Sequence, residues 1–254
     1  MSDTTPGVPA ENEPGQANCP YCGGLGFVRL DVPLGHPQFG KAVPCICRRD
    51  DRRLRRLAQL RHSGNLEQLQ RMRFESFQTQ GIESAEASLH LQFVLDACRQ
   101  YADHPQGWLL MRGTHGCGKT HLAAGIANAR VRVGYPALFV VVPDLLDHLR
   151  ATFNPQSPIT YDKRFEEVRH APFLVLDDLG TESATSWAQE KLFQLLNHRY
   201  VAKLPTVLTT ARRIEDLDPK LHTRLLDVSR CTVFSILAPA YRGSGGAPRP
   251  AKPA

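Results

Sequence analysis

Long hydrophobic runs are missing from the 254-residue sequence, and this absence limits what the protein can be. No stretch of about twenty apolar residues occurs, so we expect no membrane-spanning helix. Residues 1–18, MSDTTPGVPAENEPGQAN, lack the basic start and the apolar core of a secretion signal. Their polar, proline-containing composition indicates a disordered leader. We therefore expect a cytoplasmic protein without a membrane partner.

The central part of the chain has no excess of charge of either sign. The formal net charge is +6, but residues 48–61 hold seven Arg and two Asp, and residues 241–254 hold three cationic side chains. Residues 62–240 contain equal numbers of basic and acidic residues, so charge alone does not indicate a nucleic-acid-binding body. Leucines recur at helical spacing in RRDDRRLRRLAQLRHSGNL. Residues 48–65 are thus expected as an Arg-rich linker helix, either solvated or bound to nucleic-acid phosphates.

Disulfides are not expected, because nothing in the sequence indicates secretion. Four of the seven cysteines are clustered instead: Cys19, Cys22, Cys45 and Cys47. A Cys-x-x-Cys pair before two glycines, with a second pair some twenty residues later, is typical of a tetrahedral thiolate site for Zn²⁺. The Cys45–Cys47 spacing is tighter than usual, so His36 is an alternative ligand. A module of residues 19–47 has almost no apolar core, and a bound metal would stabilise its fold.

From about Leu66 the sequence alternates between helical and strand patterns. GWLLMRG, PALFVVV, APFLVLDDLG, PTVLTT and CTVFSIL are expected strands, and their nearly continuous apolar character predicts a parallel sheet covered on both faces. In the helix SAEASLHLQFVLDACRQYA, Leu89, Phe93 and Ala97 share one face. The helix SWAQEKLFQLLNHRYVAK is expected to bury Ala188, Leu192, Leu195 and Leu196. Residues 243–254 are expected to form a disordered tail.

The stretch GTHGCGKT matches the phosphate-loop pattern G-x-x-x-x-G-K-[S/T] in full, between a strand and a helix. Gly113, Gly116 and Gly118 allow the backbone to curl around phosphates, and the helix N-terminus adds partial positive charge. Lys119 is expected to contact the β- and γ-phosphates of ATP. The Thr120 hydroxyl is expected to ligate Mg²⁺.

The strand in FLVLDDLG ends in two acidic residues, as a partner of the phosphate loop should. We expect Asp177 to hold Mg²⁺ through water and Asp178 to orient and deprotonate the attacking water. These residues predict ATP binding and hydrolysis. A small-molecule kinase is disfavoured, because the sequence contains no Arg-rich lid insertion and leaves the cysteine cluster unexplained.

Three segments together carry a family resemblance: GTHGCGKTHLA, LVLDDLGTESATSWAQEKLFQLLNHRY and LPTVLTT. They resemble the AAA+ ATPases of the DnaC/DnaI helicase-loader and IstB group over about residues 66–242. The preceding cysteine module resembles the DnaI-like architecture in particular. The resemblance implies an α/β AAA+ P-loop NTPase with a parallel sheet flanked by helices, a truncated lid and a small N-terminal zinc-binding module.

The resemblance also implies further site residues. Arg224 in LDPKLHTRLLD matches the arginine finger, which reaches into the ATP site of a neighbouring subunit. Arg242 in APAYRG matches the sensor-2 arginine that touches the γ-phosphate. Where the family usually has a sensor-1 Asn, this chain reads Thr209, Thr210 and Ala211. Either Thr210 substitutes for that Asn, or hydrolysis is slow.

The implied function is an ATP-dependent loader of a replicative ring helicase. Such a protein would assemble with copies of itself on ATP, bind single-stranded DNA and be released by hydrolysis. The linker helix and the helix PDLLDHLRATF, with Lys163 and Arg164 nearby, are the candidate DNA contacts.

The alternative is an IstB-like ATP-binding helper of DNA transposition, which binds duplex DNA. The cysteine cluster favours the loader, since transposition helpers usually begin with a helical segment. A third possibility is an ATP-dependent adaptor that binds only protein.

Overall fold

A computed structural model describes residues 17–48, 65–79, 84–151, 161–181 and 185–241 of the chain. It divides the chain into two compact units, residues 1–58 and 59–254, and each is described by itself. Most of the expected leader, nearly all of the Arg-rich linker helix and the expected tail lie outside the described residues, as does Arg242.

The first unit is built around its four cysteines. Two short strands, β1 (Phe27–Arg29) and β2 (Ala42–Pro44), form an antiparallel pair in which Val28 lies opposite Val43. The pair forms a small hairpin between the two cysteine pairs. The cysteines are buried, and Val28 packs against them. The Arg48 guanidinium lies 4.4 Å from the centre of the Phe27 ring. So small an apolar cluster contributes little free energy of folding by itself.

The second unit contains a five-stranded parallel sheet, with strand order β4-β5-β6-β3-β7. Its strands are β3 (Trp108–Gly113), β4 (Leu138–Val141), β5 (Leu174–Asp177), β6 (Thr206–Thr210) and β7 (Cys231–Ile236). Its helices are α1 (Ala85–Asp103), α2 (Lys119–Arg132), α3 (Val142–Ala151), α4 (Tyr161–Arg169), α5 (Ser186–Val201) and α6 (Pro219–Leu225). All five expected strands are therefore confirmed.

Strand β6 lies between β3, which leads into the phosphate loop, and β5, which ends in the acidic pair. Arg112 of β3 lies opposite Thr210, and Leu176 of β5 lies opposite Leu208. Since all five strands are parallel, their carboxyl ends meet at one edge of the sheet. The last residues of β6 are thus placed between the phosphate loop and the acidic residues.

The sheet is covered on both faces, as its apolar strands require. Helices α1 and α2 pack on one face, and α3 to α6 contribute to the apolar cluster on the other. Side chains along β6 alternate between these clusters: Val207 belongs to the α1–α2 side and Leu208 to the α3–α6 side. This alternation assigns Thr209 to the α2 side and Thr210 to the opposite side.

The two helix-face predictions had different outcomes. In α5 the four residues expected to point inward are buried. In α1 the face shared by Leu89, Phe93 and Ala97 is not the core face, because Leu89 and Phe93 are 72% and 62% exposed. The helix instead buries a longer stripe at spacings of three and four: Leu91, Val94, Leu95, Cys98 and Ala102. The Phe93 ring makes an edge contact with Phe234 of β7, 5.9 Å between ring centres.

Within the described ranges, no helix combines the length and the apolar composition needed to cross a membrane.

Candidate nucleotide site

The phosphate loop connects β3 to α2, and glycine is required at two of its positions for different reasons. Gly118 has φ 102°, a left-handed conformation, and a β carbon there would lie 2.7 Å from the Phe77 ring. At Gly113 a β carbon would lie 2.7 Å from the Ile236 carbonyl oxygen and 2.8 Å from Sγ of Cys117. The third glycine, Gly116, has φ 82°. The absence of β carbons at these positions lets the loop curve tightly and lets its backbone approach a ligand closely.

Lys119 begins α2 and is almost fully buried. Its ammonium donates hydrogen bonds of 2.8 Å to the carbonyl oxygens of Gly113 and Thr114, within its own loop. The charge is thereby held inside the loop that should surround the phosphates. A phosphate chain bound there would meet an ammonium group, backbone N–H groups of the loop and the positive end of α2.

Thr120 and Asp177 form the second part of the site. The Thr120 hydroxyl donates to both carboxylate oxygens of Asp177, at 3.2 and 3.0 Å. Burial raises the pKa of the Asp177 carboxyl above its ordinary value, while the hydroxyl of Thr209 acts in the opposite direction. A hydroxyl and a carboxylate next to a phosphate loop are the oxygen ligands that Mg²⁺ prefers. The structure thus brings together the two residues predicted to hold the ion.

Asp178 follows directly, at the carboxyl end of β5, and has a left-handed backbone with φ 61°. Its backbone N–H donates to the Thr209 hydroxyl at 3.0 Å. That hydroxyl donates in turn to Oδ1 of Asp177 at 2.6 Å. The structure does not bring Thr210 to these groups, because its hydroxyl donates to the Leu179 carbonyl oxygen on the opposite face of the sheet. Strand alternation explains this difference between neighbouring threonines.

Two chain segments outside the phosphate-loop motif flank the loop, one around Phe77 and one that ends at Tyr241. The Phe77 ring lies against Gly118 and makes an edge contact with His121. Tyr241 donates its backbone N–H to the Gly116 carbonyl oxygen at 3.1 Å, and its hydroxyl donates to Oε1 of Gln78 at 2.7 Å. These residues are far from the loop in sequence and belong to no periodic pattern. No signal in the sequence points to Phe77 or Gln78, whereas Tyr241 lies beside Arg242 in the segment APAYRG that the family resemblance assigns to the site.

Arg224 is held on its own subunit, away from the phosphate loop. Its guanidinium donates to Oδ1 of Asn197 at 3.1 and 2.5 Å and to the Lys220 carbonyl oxygen at 2.7 Å. It also lies 4.9 Å from the centre of the Phe193 ring. These partners belong to α5 and α6, so the structure does not bring Arg224 together with the other predicted site residues.

The four cysteines of the first unit form a separate candidate metal centre. Their sulfur atoms lie within 4.8 Å of one another, and the backbone N–H of Tyr21 contributes most to lowering the pKa of the Cys19 thiol to about 7. The Gly26 N–H donates to Sγ of Cys22 at 3.2 Å. His36 is exposed and lies outside this group, and its Nδ1 accepts a hydrogen bond from the backbone of Gln38. The alternative ligand predicted from the sequence is thus not supported, and the four thiols alone could hold a metal ion.

Known proteins resemble about half of this chain. It is 31% identical over 137 residues to the Replicative helicase loader DnaI of Bacillus subtilis (strain 168), covering 53% of this chain and 43% of DnaI. It is 27% identical over 139 residues to the Replicative helicase loader DnaC of Escherichia coli (strain K12), covering 54% of this chain and 56% of DnaC. The matched region thus spans about half the length of these relatives.

The fold is shared with solved structures as well. A crystal structure of the DnaC helicase loader superposes with a TM-score of 0.52 at 21% identity, covering 66% of this chain and 98% of that one. Together with the parallel strand order and the phosphate loop, this likeness identifies the AAA+ P-loop fold. The sequence pattern of the IstB-like ATP binding proteins matches residues 46–244, and the chain belongs to this family.

Proposed function

We propose that this protein is an ATP-driven loader of a replicative ring helicase. The observation that carries the proposal is the meeting of Lys119, Thr120, Asp177 and Asp178 at one sheet edge, in a chain related to two replicative helicase loaders. A complete phosphate loop beside an acidic pair supports hydrolysis of ATP as well as binding. In this proposal hydrolysis is the switch that releases the loader, and Asp178 activates the attacking water.

In the proposed cycle each residue has one task. The loop backbone and Lys119 bind the phosphates, and Thr120 and Asp177 supply ligands for Mg²⁺, which would neutralise charge on the phosphate oxygens. Asp178 takes the proton of the attacking water. Arg224 completes the site of a neighbouring copy, so hydrolysis depends on assembly. Arg242 is proposed to touch the γ-phosphate.

The cysteine module is proposed to bind Zn²⁺ and to dock on the helicase. Support for the metal comes from four buried thiols within 4.8 Å of one another, the donor set of a structural zinc site. A cluster of this kind can stabilise a unit that has almost no other core. The unit thereby becomes a rigid surface for a protein partner.

Single-stranded DNA is proposed to bind on the α3–α5 side of the sheet. The Arg150 guanidinium lies 5.2 Å from the centre of the Trp187 ring, and the Lys191 ammonium lies 5.7 Å from that of Phe165. A cation beside a partly exposed ring, as for Arg150 and Trp187, suits single-stranded DNA, because the cation can contact phosphates and the ring can stack on a base. The Phe165 ring is buried, so Lys191 contributes charge alone. Arg164 is less suitable than the sequence indicates, because it is mostly buried in an ion pair with Glu167. The side chain of Lys163 lies outside the described residues.

The alternative function is that of an IstB-like helper of DNA transposition. One observation favours it, namely that the matching family takes its name from IstB-like proteins. The cysteine centre favours the loader instead, because it adds a protein-docking unit in front of the ATPase.

Co-purification with the replicative helicase of the same cell tests the proposal. If the protein is a loader, it should elute together with the helicase in the presence of ATP. With the variant Lys119→Ala, the amount of helicase that co-elutes should differ less between samples with and without ATP. DNA binding is measured in parallel on single-stranded and duplex oligonucleotides of equal length. Absence of the helicase complex, combined with preference for the duplex, would replace the loader by the transposition helper.

A further inference from the structure

Thr209 links the two acidic residues through a single hydroxyl group. This hydroxyl donates to Oδ1 of Asp177 at 2.6 Å and accepts the backbone N–H of Asp178 at 3.0 Å. The direction of both bonds is fixed, since an ionised carboxylate can only accept and a backbone N–H can only donate. Thr209 is fully buried, so water does not compete for either bond.

The bond to Asp178 supports an unusual backbone conformation. Asp178 is one of two non-glycine residues with positive φ among the described residues, and such a conformation is unfavourable unless its surroundings hold it. Two bonds from Thr209 hold it: the hydroxyl accepts from Asp178, and the Thr209 carbonyl accepts the Leu179 N–H at 2.8 Å. The fixed backbone of Asp178 sets the direction in which its side chain starts.

The bond to Asp177 fixes the carboxylate that Thr120 also contacts. Oδ1 of Asp177 accepts from both threonine hydroxyls, and Oδ2 accepts from Thr120 alone. A bound ion that took the place of the Thr120 hydroxyl at Asp177 would break the hydrogen bonds between these two residues. Of the two threonine hydroxyls, only that of Thr209 would then still donate to the carboxylate. Thr209 therefore keeps the carboxylate oriented through that exchange.

We propose that Thr209 is a positioning residue of the ATPase site, which orients Asp177 for Mg²⁺ and fixes the backbone of Asp178 for attack by water. The inference rests on the proposed hydrolysis of ATP at this site, but not on the identity of the helicase or of the DNA. Thr210 does not share this role, because its hydroxyl bonds to the Leu179 carbonyl oxygen and to the backbone of Arg212.

The test compares Thr209→Val, which has nearly the same shape but no hydroxyl, with Thr209→Ser, which retains it. Thr209→Val should lower kcat about tenfold or more and raise the Mg²⁺ concentration for half-maximal activity several-fold. Binding of ATP in the absence of Mg²⁺ should not change, because Lys119 and the loop hold the phosphates. Thr209→Ser should restore both quantities to within about threefold of the unmutated protein.

Thr206→Val is the matched control. Thr206 is a fully buried threonine at the other end of β6, and its hydroxyl bonds to Nε of Arg199 and the Leu204 carbonyl oxygen. Its loss should lower the melting temperature and leave the Mg²⁺ dependence unchanged. If Thr209→Val and Thr209→Ser lose activity equally, or if Thr209→Val keeps the Mg²⁺ dependence of the unmutated protein, the positioning role is wrong.

A second background separates the two bonds. Glycine adopts positive φ without support, so Thr209→Val should destabilise the Asp178→Gly protein less than the unmutated one. In the Asp178→Gly background, Thr209→Val should still weaken the Mg²⁺-dependent binding of ATP. This binding can be measured without hydrolysis. This measurement also distinguishes the inference from the proposed function: a protein that hydrolyses no ATP would disprove the ATPase, whereas unchanged Mg²⁺ affinity on Thr209→Val would disprove the role of Thr209.

Discussion

The Thr120 hydroxyl, in the first turn of α2, lies 3.0 Å from Oδ2 of Asp177 at the end of β5. The two residues are brought together although β6 separates β5 from the strand that leads into the phosphate loop. This contact joins the phosphate-binding part of the site to its acidic part.

Replacing Lys119 with Ala should weaken ATP binding by about 10- to 100-fold. The reason is that the phosphates lose a charge-assisted hydrogen bond, worth about 1.5–3 kcal/mol. Titration with a fluorescent ATP analogue measures the effect, and Lys220→Ala, which removes an exposed lysine, should bind as the unmutated protein does. Equal affinity of the two variants would exclude the loop as the triphosphate site.

Purified protein should contain about one zinc ion per chain, as a site of four thiolates requires. Cys45→Ser should release the ion and unfold the first unit alone, because that unit has little other core. His36→Ala is the control and should retain the zinc, since His36 lies outside the cysteine cluster. Elemental analysis with limited proteolysis measures both effects. A full zinc content in Cys45→Ser would remove this thiol from the ligand set.

Arg150→Ala should weaken binding of single-stranded DNA and flatten its salt dependence. Each lost phosphate contact reduces the slope of log K against log salt by about 0.7. Trp187→Ala should weaken binding at an unchanged slope, because stacking on bases carries no charge. The control is Arg99→Ala, which removes a similarly exposed, ion-paired arginine on α1, on the other face of the sheet. Equal slopes for the Arg150 and Arg99 variants would place the strand elsewhere.

The fold and much of the site are predictable from the sequence because their signals are local. The phosphate loop and the strand before Asp177 are contiguous motifs, and each fixes its own backbone conformation. The core face of α1 could not be read from the sequence, because this helix has two apolar stripes, and only packing on α2 and β7 selects the one through Val94. The contact of Tyr241 with Gln78 joins residues remote in sequence, and no pattern encodes it.

Thr209 and Thr210 show at the scale of one residue that the local sequence does not decide which side chain faces the site. Thr209 and Thr210 have the same chemistry, and a resemblance to a motif does not decide which one faces α2. The register of β6 against β3 and β5 decides it, because a shift of one residue would exchange the two faces.

Acid should destabilise the second unit through His198. Burial lowers the pKa of this imidazole below 6.5, and the nearby charges of Arg169 and His170 act in the same direction. The unfolded chain therefore takes up a proton near pH 6.5 that the native state resists, so stability is lost as the pH falls below that value. Nε2 of His198 is buried and has no hydrogen-bond partner within the described residues.

His198→Phe should reduce the loss of folding stability between about pH 7.5 and 5.5. The variant has no imidazole at this position that would take up a proton more readily in the unfolded chain than in the folded one. Urea unfolding at several pH values measures the difference. His148→Phe is the control, because His148 is exposed on α3 and should leave the pH dependence unchanged. An unchanged acid sensitivity in His198→Phe would show that other groups cause it.

Arg224 should act on the ATP of a neighbouring copy, and this prediction separates an assembling switch from an enzyme that works alone. Its guanidinium is bound to Asn197 of its own subunit, so it must exchange this partner for the neighbour's γ-phosphate. In related systems such an arginine contributes about 10³- to 10⁵-fold in rate. Turnover per chain should therefore rise with protein concentration, and Arg224→Ala should bind ATP but hydrolyse little. Arg230→Ala is the matched control, since Arg230 also lies over the Tyr200 ring.

Mixing two inactive variants provides the decisive measurement. Arg224→Ala has an intact phosphate loop, and Lys119→Ala has an intact arginine. A junction between one copy of each contains one complete site, so the mixture should recover part of the ATPase activity that neither variant has alone. Recovery requires contact between subunits, because no single chain in the mixture carries both residues. If no activity returns and the turnover of the unmutated protein is independent of its concentration, each chain hydrolyses ATP by itself and assembly is not part of the switch.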